Sequence, residues 1–455
     1  MNATDHSLIN RPIPELIYHI AVPASVGIFF NTLFNAIDTY CAGLISTQAL
    51  AALSLSFPIF FLILAVGRGF SIGVTALIAN ALGAGDASGA RRFAVQGVLF
   101  GLLAAIVLAT VGIYLSPVLF KVLGASGSYL ALSTGYMGTI FQGCIFFLLN
   151  HMFNAILTAR GDTRTFRNFL ILGCLANGAL NPWFIFGGLG IPAMGVVGIA
   201  LSTILIQSAG CIYLGYRVHQ TGLVSELQAK ELAVDLSAFR MIAAQGAPAA
   251  FNLMTIGIGV FIITYFISPF GKEAVAAYGI AVRIEQIVLL PAIGLNVAVL
   301  TLTAQNNGAG RFDRIFEALR TSLYYGGWFM ALSAALMLVF SPALMGVFTR
   351  DPGVVAAGTA YLRIDALALY GYVVLFLNMG TLQGLKKPMF VMWMGLFRQV
   401  VLPTTLYYLL TRVFNLGLIS IWWGILAITW TAALIAHLYT RRMLKRLFPD
   451  SSAWV

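Results

Sequence analysis

Only 9% of the 455 residues carry charge, so an ionisable side chain set inside a long apolar run marks a place where chemistry is possible. Six such side chains stand out: Asp38, Arg68, Arg283, Glu285, Asp365 and Arg398. Charge inside hydrocarbon is costly and normally faces a cavity, a partner or an ion path. Amides accompany the first of them. Asn177 and Asn181 are one helical turn apart, as are Asn150 and Asn154, so each pair shares a helix face. Ser202 and Thr203 follow on the next apolar run. A lone carboxylate withdrawn from water can hold a proton near neutral pH and release it when its surroundings wet or a cation approaches. That is proton-exchange chemistry. Enzyme chemistry is not expected, because His6, His19, His151, His219 and His437 form no i,i+4 pair and no H-E-x-x-H occurs. Cys41, Cys144, Cys174 and Cys211 have neither metal-ligand nor disulfide spacing and read as packing residues. No metal or organic cofactor is expected.

The elements that must position these groups follow from composition. With 60% hydrophobic residues and a mean hydropathy of +0.92, the chain carries more apolar surface than a water-soluble fold can bury. Apolar runs of 20 or more residues recur throughout, each long enough to cross a hydrocarbon layer of about 30 Å as a helix. Twelve spans are predicted, at 14–44, 49–81, 91–115, 130–158, 166–186, 194–218, 238–268, 273–305, 314–340, 354–381, 388–411 and 416–440. Residues 1–15 lack a basic start and a cleavage motif, so no removable signal is expected and the first span inserts itself. Twelve spans put both termini on one side. The loops and ends of that side hold 18 Lys and Arg against 5 opposite. By the positive-inside rule the termini are cytoplasmic, in a cell inner membrane. The same rule accounts for the net charge of +11 without nucleic acid.

An internal repeat organises the spans. A shift of 225 residues brings Val22-Pro23-Ala24 onto Ala247-Pro248-Ala249, Thr39-Tyr40 onto Thr264-Tyr265, Gly69 onto Gly294 and Gly83-Ala84-Gly85 onto Gly308-Ala309-Gly310. With slips of one or two residues, Gly161 meets Gly384 and Gly198 meets Gly424. Six spans per repeat make the halves parallel, related by an axis along the membrane normal. The expected fold class is thus an all-α membrane protein of twelve transmembrane helices in two six-helix lobes enclosing a central cleft. The N-terminal lobe is placed at 1–220, a polar linker carrying Glu226, Lys230, Glu231 and Asp235 at 221–237, and the C-terminal lobe at 238–455. The Gly-Ala-Gly stretches read as tight turns, and Gly69/Gly73 and Gly97/Gly101 as close-packing pairs.

Pro23 with the later Asp38, LGAGD at 82–86, the turn Arg160-Gly161-Asp162-Thr163-Arg164 and above all NPWFIFGGLGIPAMGVVGIA at 181–200 resemble the multidrug and toxic compound extrusion (MATE) family, over essentially the whole chain. Within it the sequence looks closest to the DinF-like branch. The resemblance implies a monomeric antiporter in the lipid bilayer that exports organic cations such as drugs and dyes in exchange for protons by alternating access. It implies Asp38 as the coupling carboxylate and Asn177 and Asn181 as its partners. Asn181 stands where many relatives carry an aspartate, which favours protons over sodium. Sodium coupling, or a lipid-linked precursor flippase of the same superfamily, are the alternatives.

Counted along its helix, Asp38 lies 15 residues beyond Pro23, roughly 22 Å further on and still inside the span. The residues predict one hydrogen-bonded cluster around Asp38 from Asn150, Asn154, Asn177, Asn181, Ser202 and Thr203, with Pro182 free to kink its helix. The bland alternative puts Asp38 at the outer interface and makes the asparagines helix glue. In the second half, Arg283 and Asp365 fall at similar depth and are expected to pair, with Glu285 nearby, as a structural or gating group. Arg68 and Arg398 have no assigned partner.

Overall fold

The computed structural model describes residues 7–188, 190–225 and 229–449. His6, Glu226 and the side chain of Lys230 lie outside the described set. After a single turn at Ser7–Asn10 the first repeat comprises α1 (Ile13–Ile45), α2 (Thr47–Gly83), α3 (Ala87–Val122), α4 (Gly127–Gln142 with Cys144–Ala159), α5 (Arg164–Phe186) and α6 (Gly195–His219). The second comprises α7 (Leu236–Ile267), α8 (Lys272–Val288 with Leu290–Gly308), α9 (Phe312–Gly346), α10 (Pro352–Asp365 with Leu369–Gly384), α11 (Pro388–Val413) and α12 (Leu418–Leu447). Among the described residues nine helices are long and apolar enough to span alone, and the three bent pairs, each taken as one span, bring the number to twelve. Among the described residues the only extended pairing is one bridge, Gly188 to Ile191.

The bends have local causes. α4 turns by 47° at Gly143 and α10 by 53° between Asp365 and Leu369, at the same place in the two repeats. α8 bends by 45° at Leu289, just before Pro291, whose ring removes an N–H and crowds the preceding turn. α2 has no proline at the matching position and runs unbroken past its own Pro58. In α11 the backbone opens into two π turns, Phe397–Val401 and Leu409–Val413. The first lies just ahead of Pro403, which cannot donate to the Gln399 carbonyl.

Four turns on one side of the repeats share a left-handed residue: Gly85 (φ 73°), Gly161 (φ 82°), Gly310 (φ 66°) and Lys386 (φ 59°). Each closes its helix with a hydrogen bond reaching five residues back, as from Asp86 N to Ala81 O at 2.9 Å and from Lys387 N to Leu382 O at 2.8 Å. The Gly-Ala-Gly stretches are therefore tight turns, as expected. The structural equivalent of Gly161 is Lys386, at the unslipped offset of 225, and not Gly384.

The chain forms two compact units, and their borders fall inside helices. Among the described residues, one is Val26–Ala250; the other takes 7–25 together with 251–449. The first halves of α1 and α7 are thus exchanged between the repeats, each handing over two residues after a proline, Pro23 or Pro248. Glycines receive the exchanged segments. A Cβ on Gly69 would strike the backbone of Ala250, and one on Gly73 the backbone of Gly246. In the other unit a Cβ on Gly294, the repeat mate of Gly69, would strike Ser25 and the Ala21 carbonyl. Between helices in lipid such close approach, rather than hydrophobic burial, is what binds. The Gly69/Gly73 spacing serves packing, as does Gly97/Gly101, set against Val74 and Met152.

Candidate functional site

In the first unit α1, α5 and α6 bring four of the expected polar residues together in a dry setting. Asp38 is 6% exposed, and Asn177, Asn181 and Ser202 are fully buried. Asn177 and Asn181 lie one turn apart on α5 and both donate to Asp38 Oδ1, at 2.9 and 2.8 Å. The Ser202 hydroxyl bonds the Asn181 Oδ1, which turns the Asn181 amide nitrogen toward the carboxylate. Thr203, also buried, gives its hydroxyl to the Ile199 carbonyl at 2.9 Å. Pro182 leaves α5 helical through Phe186, so the Asn177–Asn181 face is not broken.

A narrow opening of about 30 Å³ within this unit runs past Phe34, Gly173, Thr203 and Gln207, along the faces that carry the cluster. Asn150 and Asn154 do not join Asp38. Asn150 donates to the backbone oxygen and side-chain Oε1 of Gln207, at 2.9 and 2.8 Å. Asn154 accepts from Thr158 on its own helix at 3.3 Å. The i,i+4 spacing gave them a common face, but α4 aims that face at α6. Gln207, a fixed-side amide one turn past Thr203, is the partner that helix counting passed over.

The second unit holds a different cluster. Glu285 (7% exposed) accepts the Tyr361 hydroxyl at 2.5 Å, and Asp365 (3% exposed) lies on the α10 segment that ends there. Arg398, inside the first π turn of α11, stacks its guanidinium over the Tyr372 ring at 5.0 Å and is the cation that both carboxylates feel. Tyr278 and Trp422 close the aromatic wall around Tyr361. Both Asp365 oxygens and Arg398 Nε lack a hydrogen bond among the described residues. The expected Arg283–Asp365 pair does not form. Arg283 is exposed, and the reason is azimuth: two residues apart on a helix means 200° of rotation, so Arg283 and Glu285 cannot both face inward. Glu285 takes the inside with Ala281 and Ile284.

The segment between the repeats is not a loose connector. Arg91 on α3 holds Glu231 through Nε and Nη2, at 2.7 and 3.0 Å, and Arg92 holds Asp235. Gln96 bonds the Ala233 carbonyl at 2.9 Å and accepts from Asp235 N at 3.0 Å. Asp235 in turn caps α7 by accepting from Ser237 N and Ala238 N. Those backbone N–H groups, with Arg92 behind them, hold its carboxyl below the usual carboxylate range.

No three His, Cys, Asp or Glu residues among those described converge as metal ligands. The MatE family profile matches the chain twice, at residues 23–183 and 248–409, starting at the two equivalent prolines. A probable multidrug resistance protein NorM of Thermotoga maritima is 28% identical over 98% of this chain and 95% of its own. A FAD transporter of Shewanella oneidensis is 27% identical over 87% of this chain and 88% of its own. A solved outward-facing multidrug resistance MATE transporter of the MOP superfamily superposes with a TM-score of 0.89 at 23% identity, covering 97% of this chain and 98% of its own, which carries the fold alone. With a doubled profile, twelve spans and a duplicated architecture in agreement, the chain belongs to the MatE family of multidrug efflux transporters.

Proposed function

We propose that this protein is a proton-coupled efflux antiporter in which Asp38 carries the exchanged proton. One observation bears the reading: a carboxylate inside a span, shut off from bulk water and held only by neutral donors. With no cation beside it among the described residues, its charge is stabilised by the Asn177 and Asn181 amides and the nearby Thr203 hydroxyl, all neutral, so a small change in the packing of α1 against α5 and α6 alters its proton affinity. Loading and release then follow from movement. The turned amides also favour protons over sodium, because Asn177 and Asn181 present nitrogen to the carboxylate, whereas sodium needs converging oxygens. Pro23 lies inside α1 below Asp38 and removes one backbone hydrogen bond, a natural point for the bending that would couple the two. The inner-membrane, termini-inside orientation accords with the basic bias of the loops.

Organic cations such as drugs and dyes are the first substrate reading, resting on the multidrug resistance relatives and on aromatic-rich spans that can stack on cations. A second reading, an anionic amphiphile, is favoured by the side chains on offer: Asp38, Glu285 and Asp365 are all buried, whereas Arg68 and Arg283 are exposed. The similar FAD transporter moves such an anion. The deciding experiment for coupling uses purified protein in proteoliposomes, with a proton gradient or a sodium gradient imposed separately. Export driven by the proton gradient alone is expected; export driven by sodium alone would overturn the assignment of Asp38 as a proton carrier.

A further inference from the structure

We infer that Arg68 is a substrate-reading residue that engages a phosphate-like or other oxyanion group on the transported molecule. The inference rests on the export reading above and goes further by naming the sign of the substrate's recognised group. Arg68 stands on α2 21 residues after Thr47 and 15 before Gly83, roughly 31 and 22 Å from the helix ends. It is therefore deep in the span from either side. Its neighbours are covered: Gly67 lies against the His151 ring and Gly69 against Ala250, so the helix faces to either side are closed by protein. The Arg68 side chain itself is exposed, and no hydrogen bond or ion pair to it is formed among the described residues.

An unpaired guanidinium is not stable against lipid at that depth, so the face it occupies borders water. That face is then part of the passage through which a substrate moves. The first unit's acid, Asp38, is turned away into its own hydrogen-bonded cluster and offers nothing to a cation. The other unit repeats the pattern: its acids are buried around Arg398, and its exposed intramembrane charge is again an arginine, Arg283. Guanidinium presents a planar fork of N–H donors that matches the geometry of phosphate, sulfonate or carboxylate. His151, packed beside it against Gly67, supplies a second polar group at the same level. A permanent positive charge in the passage engages the oxyanion end of a transported molecule, a group that soluble anionic solutes and lipid headgroups both carry.

The test uses two fluorescent probes, anionic Lucifer yellow and cationic ethidium, with the full-length protein and Arg68→Gln and Arg68→Lys variants. Binding to purified protein is read by anisotropy, and proton-driven transport in proteoliposomes by dye uptake. Wild type should bind Lucifer yellow. Arg68→Gln should raise its Kd and KM about tenfold, the scale of one charge-assisted hydrogen bond, with Arg68→Lys in between and ethidium transport undiminished. Adding phosphatidylglycerol to phosphatidylcholine vesicles separates the sources of the anion: displacement of dye from wild type alone indicates a lipid headgroup, and no displacement a soluble solute. The proposal is overturned if wild type does not bind Lucifer yellow, or if Arg68→Gln changes both probes equally or neither. Binding that depends on Arg68 without proton-driven transport would uphold the subsite and count against the export reading instead.

Discussion

The two repeats share a scaffold and place opposite things at its centre. Phe60, Phe147 and Gly173 line the opening in the first unit; at the offset of 225 their counterparts are Glu285, Tyr372 and Arg398, the members of the second unit's charged cluster. Where one repeat keeps room beside α5 and α6, the other fills it with an arginine and closes it with tyrosines. Conversely, Asp38, Asn177 and Asn181 have Ile263, Leu402 and Leu406 as counterparts. Duplication thus supplied two equivalent frames, and the polar chemistry was divided between them. A carboxylate held by neutral amides beside an opening can change protonation with little rearrangement. Carboxylates gathered around a half-buried arginine resist it, because each change of charge unbalances the others.

That contrast is broken most directly at Asp38. Asp38→Asn keeps the shape and a hydrogen-bonding side chain but cannot exchange a proton at neutral pH. Proton-driven export in proteoliposomes should fall to background while expression and thermal stability stay near wild type. Retention of normal export would move the coupling role to the other unit.

Arg398→Met should do the reverse. It leaves Glu285 and Asp365 buried without their cation, a change that costs about 3–5 kcal/mol, seen as a large drop in melting temperature in detergent. Adding Glu285→Gln and Asp365→Asn to Arg398→Met removes the whole charged set and should recover much of that loss. A triple variant no more stable than the single one would show that the aromatic wall, and not charge balance, holds this unit together.

How far the sequence could be read follows the same division. The Asp38 cluster was legible because its members are few, share helix faces and sit at countable depths. Depth does not give azimuth, which is why Arg283 was paired with Asp365 and why Asn150 was drawn toward Asp38 although α4 points it at Gln207. Arg398 could not be placed, since its position depends on a π turn that propensity does not announce. The repeat offset and the turns were plain from glycine alone, but Lys386 adopts the same left-handed turn without being glycine, so matching letters slipped the register by two. The exchange of half-helices was hidden for a deeper reason: similarity between repeats tells which segments are alike, not which unit each packs in. Its trace was present in Gly69 and Gly294 and became readable only once Ala250 and Ser25 were seen against them.

Those two glycines give a finer comparison. A methyl group at Gly69 meets main-chain N and Cα of Ala250, which cannot step aside; at Gly294 it meets Ser25 Oγ, which can rotate, and the Ala21 carbonyl. Gly69→Ala should therefore destabilise more, by about 1–3 kcal/mol as for other overpacked sites, and Gly294→Ala less. Equal melting temperatures for the two variants would mean that the exchanged halves are held alike.

The smallest effect concerns how the exchanged halves are fastened at their starts. α1 begins under Arg314, which donates to main-chain oxygens, Arg11 O at 2.6 Å and Leu8 O at 3.5 Å. α7 begins under carboxylates, Asp235 and Glu231, held by Arg92 and Arg91. The second fastening rests on carboxylates, whereas at the first the Arg314 bonds go to main-chain oxygens and the titrating contact is the exposed Arg11–Glu15 pair at 3.7 Å. Because folding lowers the Asp235 pKa, its contribution is complete above the unfolded value, about 3.9, and is lost as pH falls through the lower folded value. Near neutrality the segment ahead of α7 should resist change. Below about pH 4 its cleavage by an acid-active protease should rise, while cleavage ahead of α1 stays level. Asp235→Asn should loosen the same segment at neutral pH, and since the Arg92–Asp235 pair is partly exposed, raised salt should imitate the substitution. Acid release of both helix starts together would show that Arg314 leans on a titrating partner, and that the two fastenings differ less than their geometry implies.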